Sequence, residues 1–91
     1  MAATILVVDD SHVDRCLIGG LLQRETGYRI ELASDGHEAL QRLKAMRVDL
    51  VVTDLVMPEL NGLELVSAVV DRFPQIPIIL MTGKVHGVWT P

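Results

Sequence analysis

The sequence predicts an α/β fold, a doubly wound parallel sheet in one domain, on three observations. Short β-branched apolar runs recur at residues 4–8, 49–53 and 78–81. They lack the alternation of a strand with one wet face, so they read as strands buried on both sides. Between them the apolar residues fall at three- and four-residue steps, the period of an amphipathic helix. The connections have the length that right-handed parallel crossovers need. An all-helical protein is excluded, because these runs are too short and too β-branched for core helices.

The elements follow in order. Residues 4–8 (TILVV) form the first strand and lead at once into Asp9 and Asp10. A helix is expected over about 12–26, capped by Ser11 or Asp10, with an apolar stripe of Val13, Cys16, Leu17, Leu21 and Leu22. Gly19–Gly20 weakens that helix, which means close backbone approach or strain there, and Gly27 stops it. Residues 28–34 (YRIELAS) alternate, with Tyr28, Ile30 and Leu32 on one side, as in a strand nearer a sheet edge. Asp35–Gly36 reads as a turn into a helix over about 37–46, striped by Ala39, Leu40, Leu43 and Met46. Residues 49–54 (DLVVTD) repeat the opening pattern of apolar run and carboxylate. Pro58 and Asn61–Gly62 mark a loop and turn, where glycine is expected to supply a conformation that strains other residues. A third helix spans about 63–73, ending before Pro74, and a fourth strand spans 76–82. The tail 84–91 has no period and reads as irregular.

With 91 residues, 49% apolar and 22% charged, the chain has the composition of a single globular domain. Its net charge of -4 argues against a nucleic-acid-coating surface. Cys16 is the sole cysteine, so there is neither an internal disulfide nor a thiolate cluster, and it is expected to be an inert core residue. No basic segment precedes the first apolar run, and no run approaches the roughly 20 residues of a membrane span. A soluble cytoplasmic protein is expected.

In open parallel sheets, ligands bind beyond the carboxyl ends of the strands. Asp9, Asp10, Asp54 and Thr82 all stand at such ends. Side by side, those strands would gather three carboxylates and a hydroxyl in one shallow cleft. Crowded carboxylates need a neutraliser, and the economical one is a hard, oxygen-seeking cation that keeps several waters, Mg²⁺. A carboxylate beside such an ion can attack a phosphoryl group. The plainer reading is that each aspartate caps a helix or a turn; tandem aspartates with a third at a matching strand end favour the set.

The chain resembles the receiver domain of two-component response regulators from Ile5 to Gly83. The matching pieces are ILVVDD (5–10), Asp35–Gly36 with Glu38, Ala39 and Leu40, DLVVTDLVMPELNGLEL (49–65) and PIILMTG (77–83). The resemblance implies a three-layer, flavodoxin-like sheet of strand order 2-1-3-4. It implies that Asp54 accepts a phosphoryl group from a histidine kinase's phosphohistidine. Asp10 would bind Mg²⁺ directly, Asp9 directly or through its hydration shell, and the backbone carbonyl of Val56 would complete the protein's ligands beside Asp54. Thr82 would be the switch hydroxyl, with the Gly83 amide as a second donor to the phosphoryl oxygens. The apolar side chain of Val56 neither orients nor activates water, which predicts a long-lived phosphoryl group.

The same resemblance implies a fourth helix, a fifth strand carrying a lysine, and a fifth helix, none of which these 91 residues supply. Lys84 is the candidate substitute cation; its alternative is a solvated loop lysine. A fourth strand at the sheet edge exposes a flat apolar ladder, which predicts self-association through it. Two readings stay open: a self-phosphorylating signalling acceptor, partnered by a sensor kinase or phosphotransfer protein, and a non-switching binding module or inactive fragment. A phosphohydrolase with a second aspartate two residues after the nucleophile is excluded, because Leu55 and Val56 follow Asp54.

Overall fold

A computed structural model describes residues 3–57 and 60–81. It contains β1 (Thr4–Val8), α1 (His12–Thr26), β2 (Arg29–Ala33), α2 (Gly36–Ala45), β3 (Leu50–Asp54), α3 (Gly62–Arg72) and β4 (Ile78–Met81). The four strands are parallel in the order β2-β1-β3-β4. The expected 84–91 tail lies outside the described residues.

β1 sits between two partners and is buried along its whole length, which is why it needs no polar alternation. Its register sets Val7 beside Leu32 of β2 and Val52 of β3. Successive side chains of β1 then serve two cores. Ile5, Val7 and Val52 pack with Ile18 and Leu22 of α1. Leu6, Val8 and Val51 pack on the opposite face with Ala39 and Leu43 of α2 and Leu65 and Val69 of α3. One helix on one face and two on the other make the three layers. Asp49 fastens the opposite end of the sheet: its carboxylate accepts from the Thr4 amide at 2.8 Å, and its own amide donates to the Thr4 carbonyl at 2.8 Å.

The face of α1 differs from the expected one. The helix seats Ile18, Gly19 and Leu22 on the sheet, while Val13, Leu17 and Leu21 form an outer row, with Leu17 65% exposed. Cys16 is exposed rather than in the core. The cause is that α1 carries two apolar rows, and Gly19 decides between them. A Cβ there would stand 3.1 Å from Leu32 and 3.3 Å from Ile30 and push those side chains back by a few tenths of an ångström, so glycine lets the helix lie close to β2. Gly20 points into open space. Gly27 ends α1 in the left-handed region at φ 71°, its amide donating to the Gln23 carbonyl.

Asp35–Gly36 and Asn61–Gly62 are helix starts rather than free turns. Asp35 accepts from the Glu38 amide at 2.8 Å while Glu38 reaches back to the Ser34 amide at 2.6 Å. Asn61 and Glu64 form a complete capping box at 2.9 and 3.0 Å. These caps aim the N-termini of α2 and α3 to the same end of the sheet as Asp9 and Asp54.

Candidate functional site

Where β1 and β3 end, hydrogen bonding between strands gives way to loops, and acidic side chains collect there. Asp9 and Asp54 are buried at 0% and 2% exposure, and Asp10 is exposed. One carboxylate oxygen from each of Asp9, Asp10 and Asp54 lies within 4.8 Å of the others. Hard oxygen donors at this spacing suit a divalent cation of the Mg²⁺ or Ca²⁺ type, and among the described residues no soft thiolate or imidazole ligand joins the group.

Local backbone geometry sets each member. Asp9 is held at three atoms: its amide donates to the Ala33 carbonyl of β2 at 3.1 Å, its Oδ1 accepts from the Ser11 amide at 2.9 Å, and its carbonyl accepts from Arg15 Nη1 at 2.7 Å. Ser11 caps α1, accepting from the Asp14 amide. Asp54 ends β3, and its Oδ1 lies 3.4 Å from the Val56 amide. The next amide, Leu55, donates to the Met81 carbonyl, so the loop leaves β3 still tied to β4. The Val56 side chain is 74% exposed beside this loop.

Gly62 closes the loop for a reason other than the expected turn conformation. Its φ is not positive; among the described glycines, Gly27 holds the positive φ. A Cβ on Gly62 would collide with the Asp54 carbonyl oxygen and stand 2.7 Å from the Leu55 Cα, while the Gly62 amide donates to the Leu55 carbonyl at 3.0 Å. Glycine is required because α3 starts in contact with the backbone of the β3 end. Arg15 was not singled out by sequence reasoning. Its signal is position: it lies four residues before Gly19, on the face of α1 that meets β2. Pro58, Thr82, Gly83 and Lys84 lie outside the described residues.

Two comparisons of sequence and one of structure bear on this arrangement. The family model described as "Response regulator receiver domain" matches residues 5–87. The two-component response regulator ORR5 of Oryza sativa subsp. japonica is 37% identical over 86 residues, covering 91% of this chain and 63% of the relative. The transcriptional regulatory protein ZraR of Klebsiella oxytoca is 40% identical over 79 residues, 87% of this chain but 18% of the relative. The chain thus spans less than two thirds of the length of either relative. Among solved structures, the response regulator protein TrrA of Thermotoga maritima, in complex with Mg²⁺–BeF, superposes with a TM-score of 0.85 at 39% identity. That alignment covers 92% of this chain and 72% of TrrA. The chemotaxis protein CheY4 of Vibrio cholerae gives 0.85 at 35% identity, covering 96% and 73%. The family match begins within β1 and runs past β4, taking in all three helices and both strand ends that carry the carboxylates. The chain belongs to the response regulator receiver domain family.

Proposed function

We propose that the chain is a phospho-acceptor of two-component signalling, in which Asp54 takes a phosphoryl group from the phosphohistidine of a sensor kinase or phosphotransfer protein with Mg²⁺. The observation that carries the reading is the gathering of the Asp9, Asp10 and Asp54 carboxylates at the ends of two buried, adjacent strands. One Asp54 oxygen attacks phosphorus. The P–N bond to the donor imidazole breaks, its electron pair leaves on nitrogen, and an acyl phosphate forms. Asp9, Asp10, Asp54 and the carbonyl of Val56 would hold the cation. When bound, it offsets the charge of the carboxylates and of the phosphoryl oxygens. The likeness to a response regulator solved with Mg²⁺–BeF supports that choice of ion. Thr82 and Gly83 are assigned the phosphoryl contacts, and Lys84 the counter-charge, by family resemblance. The same reading puts the chain in the cytoplasm.

Intact mass tests the proposal. Incubation with acetyl phosphate and Mg²⁺ is expected to add about 80 Da, the mass of one phosphoryl group, and the same incubation in EDTA to add nothing. The label is expected to decay slowly once acetyl phosphate is removed, because the exposed Val56 side chain offers no polar atom to orient water. A folded protein that gains no mass contradicts the reading and leaves a receiver fold used as a binding module.

Self-association belongs to the same proposal. β4 pairs with β3 on one side and is the outermost strand of the described sheet, with Ile79 half exposed. An apolar strand edge is a template for a second chain. Light scattering is expected to show a dimer or larger species; a monomer at high concentration contradicts pairing through β4.

A further inference from the structure

We infer that Arg15 is a positioning residue for the carboxylate cluster, holding the Asp9–Asp10 peptide so that Asp10 faces Asp9 and Asp54. The inference rests on the cation reading of that cluster. β1 ends at Val8, so the Asp9 carbonyl belongs to a peptide that leaves the sheet, and a carbonyl turned from its ladder needs a donor when water is scarce. Arg15 Nη1 supplies one at 2.7 Å. The carbonyl lies in the plane of the Asp9–Asp10 amide. Fixing its direction therefore fixes the N–Cα bond that places the Asp10 Cα, from which the side chain departs.

The arginine is itself held in place. Its backbone amide donates to the Ser11 carbonyl at 2.9 Å in the first turn of α1, and its Nη2 lies 3.4 Å from His12 Nδ1. Its side chain is partly buried rather than free in solvent. Asp9 is fully buried and is also pinned at its amide and carboxylate, so Arg15 completes the fixing of the residue that precedes the exposed Asp10. A cation site demands this kind of support, because its ligands must stand in place before the ion arrives.

The sign of one measurement separates this role from the charge that Arg15 carries. As a bare positive charge near a cation site, the guanidinium repels the ion, and deleting it would tighten binding. As the holder of the Asp9 carbonyl, it arranges the ligands, and deleting it weakens binding. Mn²⁺ is the probe: the electron paramagnetic resonance signal of the free ion reports binding to the whole chain without any phosphoryl chemistry. Arg15→Met is expected to weaken Mn²⁺ binding about tenfold, the lower end for loss of an outer-shell partner, and Arg15→Lys, which keeps a donor, to restore most of it. Thermal melts confirm that each variant is folded at the assay temperature, and Arg15→Gln replaces Arg15→Met if the latter is not.

Equal or tighter binding by the folded Arg15→Met or Arg15→Gln protein overturns the inference while leaving the cation site intact. Failure of Asp10→Asn to change Mn²⁺ binding removes the cation site itself, and the inference falls with it.

Discussion

Gly62→Ala lowers the unfolding free energy by about 3 kcal/mol, the upper end for an overpacked site, and moves the urea midpoint down accordingly. The added Cβ would collide with the Asp54 carbonyl oxygen, 2.7 Å from the Leu55 Cα and 3.1 Å from the Asp54 carbonyl carbon. All three atoms are backbone, so no change of rotamer makes room. Either the start of α3 withdraws or the end of β3 shifts. Withdrawal also strains the bond from the Gly62 amide to the Leu55 carbonyl, worth about 1 kcal/mol. A shift of β3 instead displaces Asp54 within the carboxylate cluster, so labelling by acetyl phosphate is expected to fall even in the fraction that remains folded. Gly20→Ala is the control, since its Cβ meets nothing within 4 Å in the interior of α1. That change is expected to stabilise the fold by about 0.5–1 kcal/mol through backbone entropy alone. Coincident urea curves for Gly62→Ala and wild type would show that α3 does not need its contact with β3.

Asp10→Ala gives the second large effect, on chemistry rather than on folding. Asp10 is exposed, so its loss removes no core packing, and without a cation it also relieves repulsion from Asp9 and Asp54, so the metal-free chain is expected to melt no lower than the wild type. It is also one of three carboxylates within 4.8 Å of one another. A charge a few ångströms from a divalent ion contributes several kcal/mol even at an effective dielectric constant of about 20. The Mg²⁺ concentration for half-maximal labelling is therefore expected to rise more than tenfold while the metal-free melting temperature does not fall. Asp9→Ala would not separate the two, because Asp9 is buried and its carboxylate also accepts from the Ser11 amide. An unchanged Mg²⁺ requirement in Asp10→Ala would remove Asp10 from the coordination.

Much of the sheet was legible because buried parallel strands leave a coarse mark. TILVV and LVVTD are continuous apolar runs, and they became β1 and β3. The carboxylates stood out for a related reason: a charge directly after a buried strand must face a strand end. Signals that depend on one contact between distant residues were not legible. The caps at Asn61 and Asp35 are a different case, since their partners Glu64 and Glu38 stand three residues on and the pattern is local, although the adjoining glycines read as turns. The choice between the two apolar rows of α1 rests on the approach of Gly19 to Ile30 and Leu32, a contact that periodicity along one helix does not encode. Cys16 lies beside Gly19 and Gly20 at the margin of the buried face, and it is exposed. Arg15 escaped notice because its partner is a backbone carbonyl, which leaves no trace in residue identity.

The most direct measurement is the location of the acyl phosphate. Borohydride reduces an acyl phosphate to an alcohol and so converts a phosphorylated aspartate into homoserine. Peptide mapping of the acetyl-phosphate-treated, reduced chain is expected to find homoserine at position 54, and none in Asp54→Asn. Homoserine at position 9 or 10, or labelling that persists in Asp54→Asn, would contradict the assignment of Asp54 as the acceptor.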